Sequence, residues 1–182
     1  MVKSSLVLYR RLHRSAHMNK NAGFTLIEVL IAMLVLGVGL LGLAGLQASS
    51  LRNNQSAYNR SQATELAYDL ADRMRANIAG IATYTAMLPT DAAAQANCVT
   101  VSTTCTTNVM AQNDLYQWNL AVTTALPSGQ GFVCLDSTPG DGASAVAANC
   151  DEAGNTYAIK IWWDDARSGA ASQRFVVSFQ LL

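Results

Sequence analysis

Glu28 is the residue whose placement most demands an explanation, because it is the single ionisable group in the apolar run from Phe24 to Leu46. A carboxylate near the centre of a bilayer-length segment costs on the order of a few kcal/mol, so it calls for a positive partner, a hydrated edge or a proton. The second set with chemistry is four cysteines, Cys98, Cys105, Cys134 and Cys150. Three pairings are open in principle. The neighbour pairing closes two short loops, each stabilised by about 2 to 3 kcal/mol in the chain-entropy model, and is the expectation. A zinc site is the alternative for the first pair, but two thiolates with no histidine nearby make a poor tetrahedral set.

Little else supports catalysis. The only histidines, His13 and His17, precede the apolar run; if that stretch is removed, no Ser-His-Asp triad and no histidine metal site is possible in the mature chain. Lys160 is the only lysine after Lys20, and no Gly-Lys-Ser/Thr phosphate loop exists. Asp136, Asp141, Asp151, Glu152, Asp164 and Asp165 lack the spacing of a calcium loop and read as turn residues and solubilising charge. Expected, therefore, are no catalytic residue, no metal and no cofactor.

The elements that position these residues begin with the apolar run, which is long enough to span a membrane. The formal net charge of zero hides an asymmetry: Lys3, Arg10, Arg11, Arg14 and Lys20 all precede that run. A basic flank before it places the N-terminus in the cytoplasm and the rest outside, where disulfides persist. The remainder is acidic, which argues against a nucleic-acid partner. Residues 1–23 lack the hydrophobic core of an ordinary secretory signal. Met18 opens a compact alternative leader, 18–23, so Val2 to His17 can be an upstream extension.

Beyond the apolar run, Leu66, Leu70, Met74 and Ile78 recur at four-residue steps beside Ala63, Ala67 and Ala71, the pattern of one buried helix face. No proline falls between Phe24 and Leu88. A single helix of roughly 80 Å is therefore expected, at about 1.5 Å per residue, half apolar and half amphipathic, stopping near Gly80 or at Pro89. Thr90 to Asn113 reads as an irregular loop holding the first cysteine pair. Four strand-like runs follow, at Tyr116 to Thr124, Gly131 to Leu135, Thr156 to Trp163 and Arg174 to Leu181, separated by Gly- and Pro-containing turns. In them Trp118, Leu120 and Val122, then Tyr157, Ile159 and Ile161, then Phe175, Val177 and Phe179 alternate, giving each strand one apolar face. Trp162 and Trp163 would point to opposite faces, one into the core and one outward.

The run Gly23-Phe24-Thr25-Leu26-Ile27-Glu28-Val29-Leu30-Ile31-Ala32-Met33 resembles the processing site of type IV pilins and of type II secretion pseudopilins. The resemblance implies cleavage after Gly23 by a membrane prepilin peptidase and methylation of the new terminus at Phe24. Glu28 would then be neutralised by the α-amino group of a neighbouring subunit and set the subunit register. Glycine also lets an extended backbone enter a protease cleft without side-chain obstruction. Many major pilins carry a proline near the position of Gly45, and its absence points to a minor subunit. Ala63 to Asn77 is similar to the helix of PilV-type minor pilins, and Tyr157 to Asp164 to their late strand.

The fold class that follows is α+β: a type IV pilin fold with a long N-terminal helix packed on a small antiparallel sheet. Its parts are a leader at 1–23 (or 18–23 alone), a transmembrane and filament-core helix at 24–46, an amphipathic helix at 47–80 and a periplasmic β domain at 81–182. Expected partners are other minor pilins, the major pilin, the prepilin peptidase and the inner-membrane assembly platform. The expected location is a single pass in the bacterial inner membrane and then the pilus. A type II secretion pseudopilin, or a tip-borne adhesin using the 89–113 loop and an exposed tryptophan, are the competing readings. Charges at Glu65, Asp69, Asp72, Arg73 and Arg75 would dock a partner pilin or form simple surface pairs such as Asp69 with Arg73.

Overall fold

In the computed structural model, residues 23–100 and 104–181 are described. The leader, with His13, His17 and Met18, lies outside the described residues apart from Gly23. The chain divides into two compact units, one ending at Leu46 and one beginning at Gln47.

Helix α1 (Leu26–Ala76) supplies residues to both units. It runs unbroken through Gly37, Gly39, Gly42 and Gly45, which cost helix stability but do not end it in the absence of proline. Every described residue from Gly23 to Gln55 is exposed, so the apolar half of the helix buries nothing against the described residues. The first inward residues are Asn59, Ala63, Ala67, Leu70, Ala71 and Met74, spaced to form one stripe.

That stripe ends earlier than the periodicity predicts. α1 stops at Ala76, Asn77 leaves helical geometry at φ −125°, ψ 53°, and Ile78 is 51% exposed rather than part of the buried face. A short 3-10 turn, Ile78–Gly80, leads into α2 (Ile81–Ala86). Gly80 is required by proximity: a Cβ there would lie 2.6 Å from the carbonyl oxygen of Thr107.

The largest departure from the sequence reading is α3 (Thr107–Ala125), which replaces both the first expected strand, Tyr116 to Thr124, and the end of the expected loop. Thr106 caps it, its side chain accepting from the amide of Val109 at 3.4 Å. Trp118 and Val122 fit a period of two or of 3.6 equally well. Ala111 and Leu115, both fully buried, and Leu120, 55% exposed, obey only the helical one. The second unit is thus mixed α and β rather than a β domain.

Three strands, β1 (Gln130–Leu135), β2 (Tyr157–Trp163) and β3 (Gln173–Phe179), form an antiparallel sheet in the order β1-β2-β3. Gly131 pairs with Ile161, and Ile161 with Phe175, which puts Val133, Ile159, Trp163 and Val177 on one face with the α1 stripe and α3. Trp118 locks the contact: its indole donates to the Leu66 carbonyl at 2.9 Å, and its ring lies where a Cβ of Gly131 would be, 2.3 Å away. A long N-terminal helix with a small antiparallel sheet is the α+β arrangement expected from the sequence.

The opposite face of β2 is covered as well, which the expected one-sided alternation does not provide for. Its Lys160 and Trp162 are roofed by the segment between β1 and β2, and Trp162 and Trp163 are both buried, at 2% and 1% exposure. No exposed tryptophan results from this pair.

Candidate functional site

Four of the polar clusters among the described residues bear on chemistry, three in the folded unit and one on the apolar helix. The first surrounds Lys160, which is fully buried. Its ammonium donates to the carbonyl of Ala148 at 2.7 Å and to Asp141 through Oδ1 at 3.0 Å and the carbonyl at 3.2 Å. It also lies 2.6 Å from Oδ2 of the fully buried Asp136, an ionic contact outside hydrogen-bonding alignment. The hydrogen bond from Lys160 holds the Asp141 carboxyl below its ordinary pKa. Arg174 adds bonds to the carbonyls of Gly140 and Gly142, and Cys134 is joined to Cys150. Lysine, arginine and disulfide together pin this roof segment to the sheet. Asp136 approaches Cys134 and Cys150 closely enough to resemble a metal-ligand trio, but sulfurs committed to a disulfide offer no thiolate.

The second cluster ties α1 to α2 and α3. Arg73 donates to Asp69 at 2.9 Å, Asp114 at 3.2 Å and Gln117 at 3.1 Å, and Tyr84 donates to the other oxygen of Asp114. Burial and then this bond push the Tyr84 hydroxyl well above its ordinary pKa. Asp69 and Arg73 are therefore more than a surface pair, since the same guanidinium reaches the nearly buried Asp114.

In the third, Asp165 accepts from Ser56 at 2.6 Å, Asn59 at 2.8 Å and the Trp163 indole at 2.6 Å. Burial works to raise its pKa, but the bonds from Asn59, Ser56 and Trp163 outweigh it and keep the carboxyl low. The neighbouring Asp164 is fully buried and accepts from the amides of Ala166 at 3.1 Å and Gly169 at 2.6 Å. Asp136 and Asp164 are thus interior structural anions rather than solubilising surface charge. Their cost of burial is why they have partners, which the sequence does not display.

Most polar atoms of these clusters are paired internally: Oδ2 of Asp136 has only its ionic contact with Lys160, and the hydroxyl of Ser56 donates to a carboxylate that Asn59 and Trp163 also hold. Cys98 is joined to Cys105, so all four cysteines are in neighbour disulfides. The shallow grooves beside Val146 are lined mainly by small and apolar groups.

The fourth place is the start of α1. Thr25 precedes the first helical residue, its carbonyl accepting from the amides of Glu28 at 3.1 Å and Val29 at 3.3 Å, and its hydroxyl from Glu28 at 3.3 Å. Gly23 and Phe24 stand outside the helix, Phe24 at 83% exposure. Phe24, Glu28, Val29, Ala32, Met33 and Leu36 share one stripe of the helix surface. Glu28 has no ionic partner among the described residues. The helix holds a window of mean hydropathy 2.6 with none of it buried, long and apolar enough to cross a membrane.

Residues 18–44 match the prokaryotic N-terminal methylation motif, and residues 45–116 match the family described as type IV pilin Tt1218. Together the two matches support a type IV pilin with an N-terminal methylation motif. The pilin match runs from within α1 into α3, so it includes the buried stripe and Asp114, whereas the sheet and its roof lie beyond it. No curated protein and no solved structure matches the chain. This combination supports a pilin involved in a pilus or pseudopilus. The motif implies processing by a prepilin peptidase and assembly with other pilins, and the apolar helix supports membrane anchoring beforehand.

Proposed function

We propose that this chain is a minor pilin of the PilV kind, a structural subunit rather than a catalyst, taking part in the complex that initiates a type IV pilus. The observation that carries this is the apolar stretch of α1, which is exposed along its length yet holds Glu28, a carboxylate with no ionic partner among the described residues. Such a surface is suited first to lipid and then to the equivalent helices of neighbouring subunits. Cleavage after Gly23 would create an α-amino group on Phe24, and a carboxylate in an apolar contact gains most from a cation of that kind on an adjacent subunit. A Cβ at Gly23 would meet nothing within 4 Å. No packing among the described residues calls for glycine there, which is compatible with a role for it in the peptidase cleft.

The precursor would sit in the inner membrane with its N-terminus in the cytoplasm and its folded unit in the periplasm. Its partners would be other minor pilins, the major pilin, the peptidase and the inner-membrane platform. The internal pairing of these clusters supports a structural role for them, since their carboxylates and cations are engaged in holding the fold together. With both members of the tryptophan pair buried, the adhesin reading loses one of its two surfaces.

Mass spectrometry of the mature protein should find N-methylphenylalanine from Phe24 at its terminus. Glu28→Ala should still be processed but be depleted at least several-fold in sheared pili on an immunoblot; full incorporation would remove the register role. Deleting the gene should abolish surface pili, whereas loss of protein secretion with normal pili would assign the chain to a secretion pseudopilus.

A further inference from the structure

The start of α1 has two features that together define a helix-stop signal facing the scissile bond. Thr25 and Glu28 are three residues apart, with the threonine hydroxyl accepting from the Glu28 amide at 3.3 Å, which is the threonine half of a capping box. Phe24 and Val29 occupy the positions just before the cap and at the fourth helical residue, and border the same surface stripe, the arrangement of a hydrophobic staple.

We infer that Thr25 is a positioning residue for leader removal, holding the Gly23–Phe24 peptide bond outside the helix in a form a peptidase can bind; this rests on the processing reading above. The first turn of a helix leaves amides without intrahelical acceptors, and unsatisfied donors are especially costly near lipid. In a helix prolonged toward the N-terminus, the Glu28 amide would bond to the Phe24 carbonyl, and the Ile27 amide to the Gly23 carbonyl, which is the carbonyl of the scissile bond. The Thr25 hydroxyl and carbonyl take the Glu28 amide instead. Without the hydroxyl, the Glu28 amide keeps only the tight three-residue bond to the Thr25 carbonyl, and extending the helix over Phe24 and Gly23 would give the Glu28 and Ile27 amides full α-helical acceptors. A protease binds extended backbone, so the extension would hide the bond.

The test uses the full-length precursor in membrane vesicles, incubated with a prepilin peptidase. Its variants are Thr25→Ser, Thr25→Asn, Thr25→Val and Thr25→Ala. Serine and asparagine are strong caps of different shape, while valine keeps the shape of threonine and cannot cap. Serine and asparagine should be cut within about twofold of the parent. Valine and alanine should be cut about fivefold more slowly, the rate equivalent of roughly 1 kcal/mol of lost capping. In the uncut chains, the carbon chemical shifts of Gly23 and Phe24 should turn helical in the valine and alanine variants alone. If valine behaves like threonine and asparagine is slow, the peptidase reads side-chain shape and the inference is wrong. Equal rates and equal shifts in all four variants overturn it too. A parent chain that is never cut after Gly23 overturns the processing reading, and the role of Thr25 within it, while the shifts still report whether the cap sets the helix start.

Discussion

Glu28 and Lys160 are both single charges set among apolar residues, and the two units of the molecule treat them in opposite ways. Lys160 is fully buried and reaches two carboxylates and two carbonyls within its own chain. Glu28 stands on an exposed apolar helix with no ionic partner among the described residues. A charge whose partners lie within the chain serves folding; a charge left without them is available to another molecule. On the proposed function, the contrast separates a part whose charges are paired internally from a part that assembly would complete.

The comparison breaks most visibly at Lys160. Lys160→Met leaves Asp136 buried without a counter-charge, and should lower the unfolding free energy of the detergent-solubilised chain by about 3 to 5 kcal/mol in urea titration. Adding Asp136→Asn should recover most of that loss, because the penalty belongs to the orphaned charge. A single variant as stable as the parent would mean that the cluster is not a folding device. Next in size is Gly131→Ala, whose methyl group would enter the Trp118 ring position and should cost about 1 to 3 kcal/mol, with a change in tryptophan fluorescence.

Acid should act more gently. The bond from the Ser137 side chain, followed by amide bonds from Ser137 and Ala153, holds the Asp151 carboxyl at about 2, and Asp165 is also lowered. An unfolded carboxyl titrates at about 3.9, so the unfolded chain binds more protons between that value and the folded one. The stabilisation is complete above about pH 4 and is lost as pH falls toward 2. Asp151→Asn should flatten part of that slope in melting curves taken across this window. Smallest of all, Glu28→Ala should leave urea unfolding of the second unit within about 0.5 kcal/mol of the parent while depleting the protein from pili. A large loss of stability from that substitution would erase the contrast.

Much of this was legible in the sequence, for reasons that differ by region. The apolar half of α1 is read by composition, and the stripe from Ala63 to Met74 by its period. β2 and β3 are found within two residues of their expected limits because aromatic and β-branched residues are concentrated there. α3 was missed because Trp118, Leu120 and Val122 satisfy alternation, and the residues that favour the helix, Ala111 and Leu115, lie in a stretch rich in Ala, Thr and Asn. The chemistry of the acids was misjudged for a further reason. Burial of Asp136 and Asp164 depends on a roof segment folding back over the sheet, a long-range event with no local pattern. The cap at Thr25 is written plainly in Thr25-Leu26-Ile27-Glu28, but the processing motif covers the same letters and draws attention away from them.

The roof segment also turns back on itself at a small bridge between Ser144 and Ala147, where Val146 is 92% exposed. The attachments that fix the roof come from Lys160, Arg174, Trp162 and the Cys134–Cys150 link rather than from that tip. A short epitope or a dye-reactive cysteine placed at Val146 therefore has an anchored base and a free outer end. It gives microscopy a handle for locating this subunit along an intact fibre without disturbing the helix that builds it.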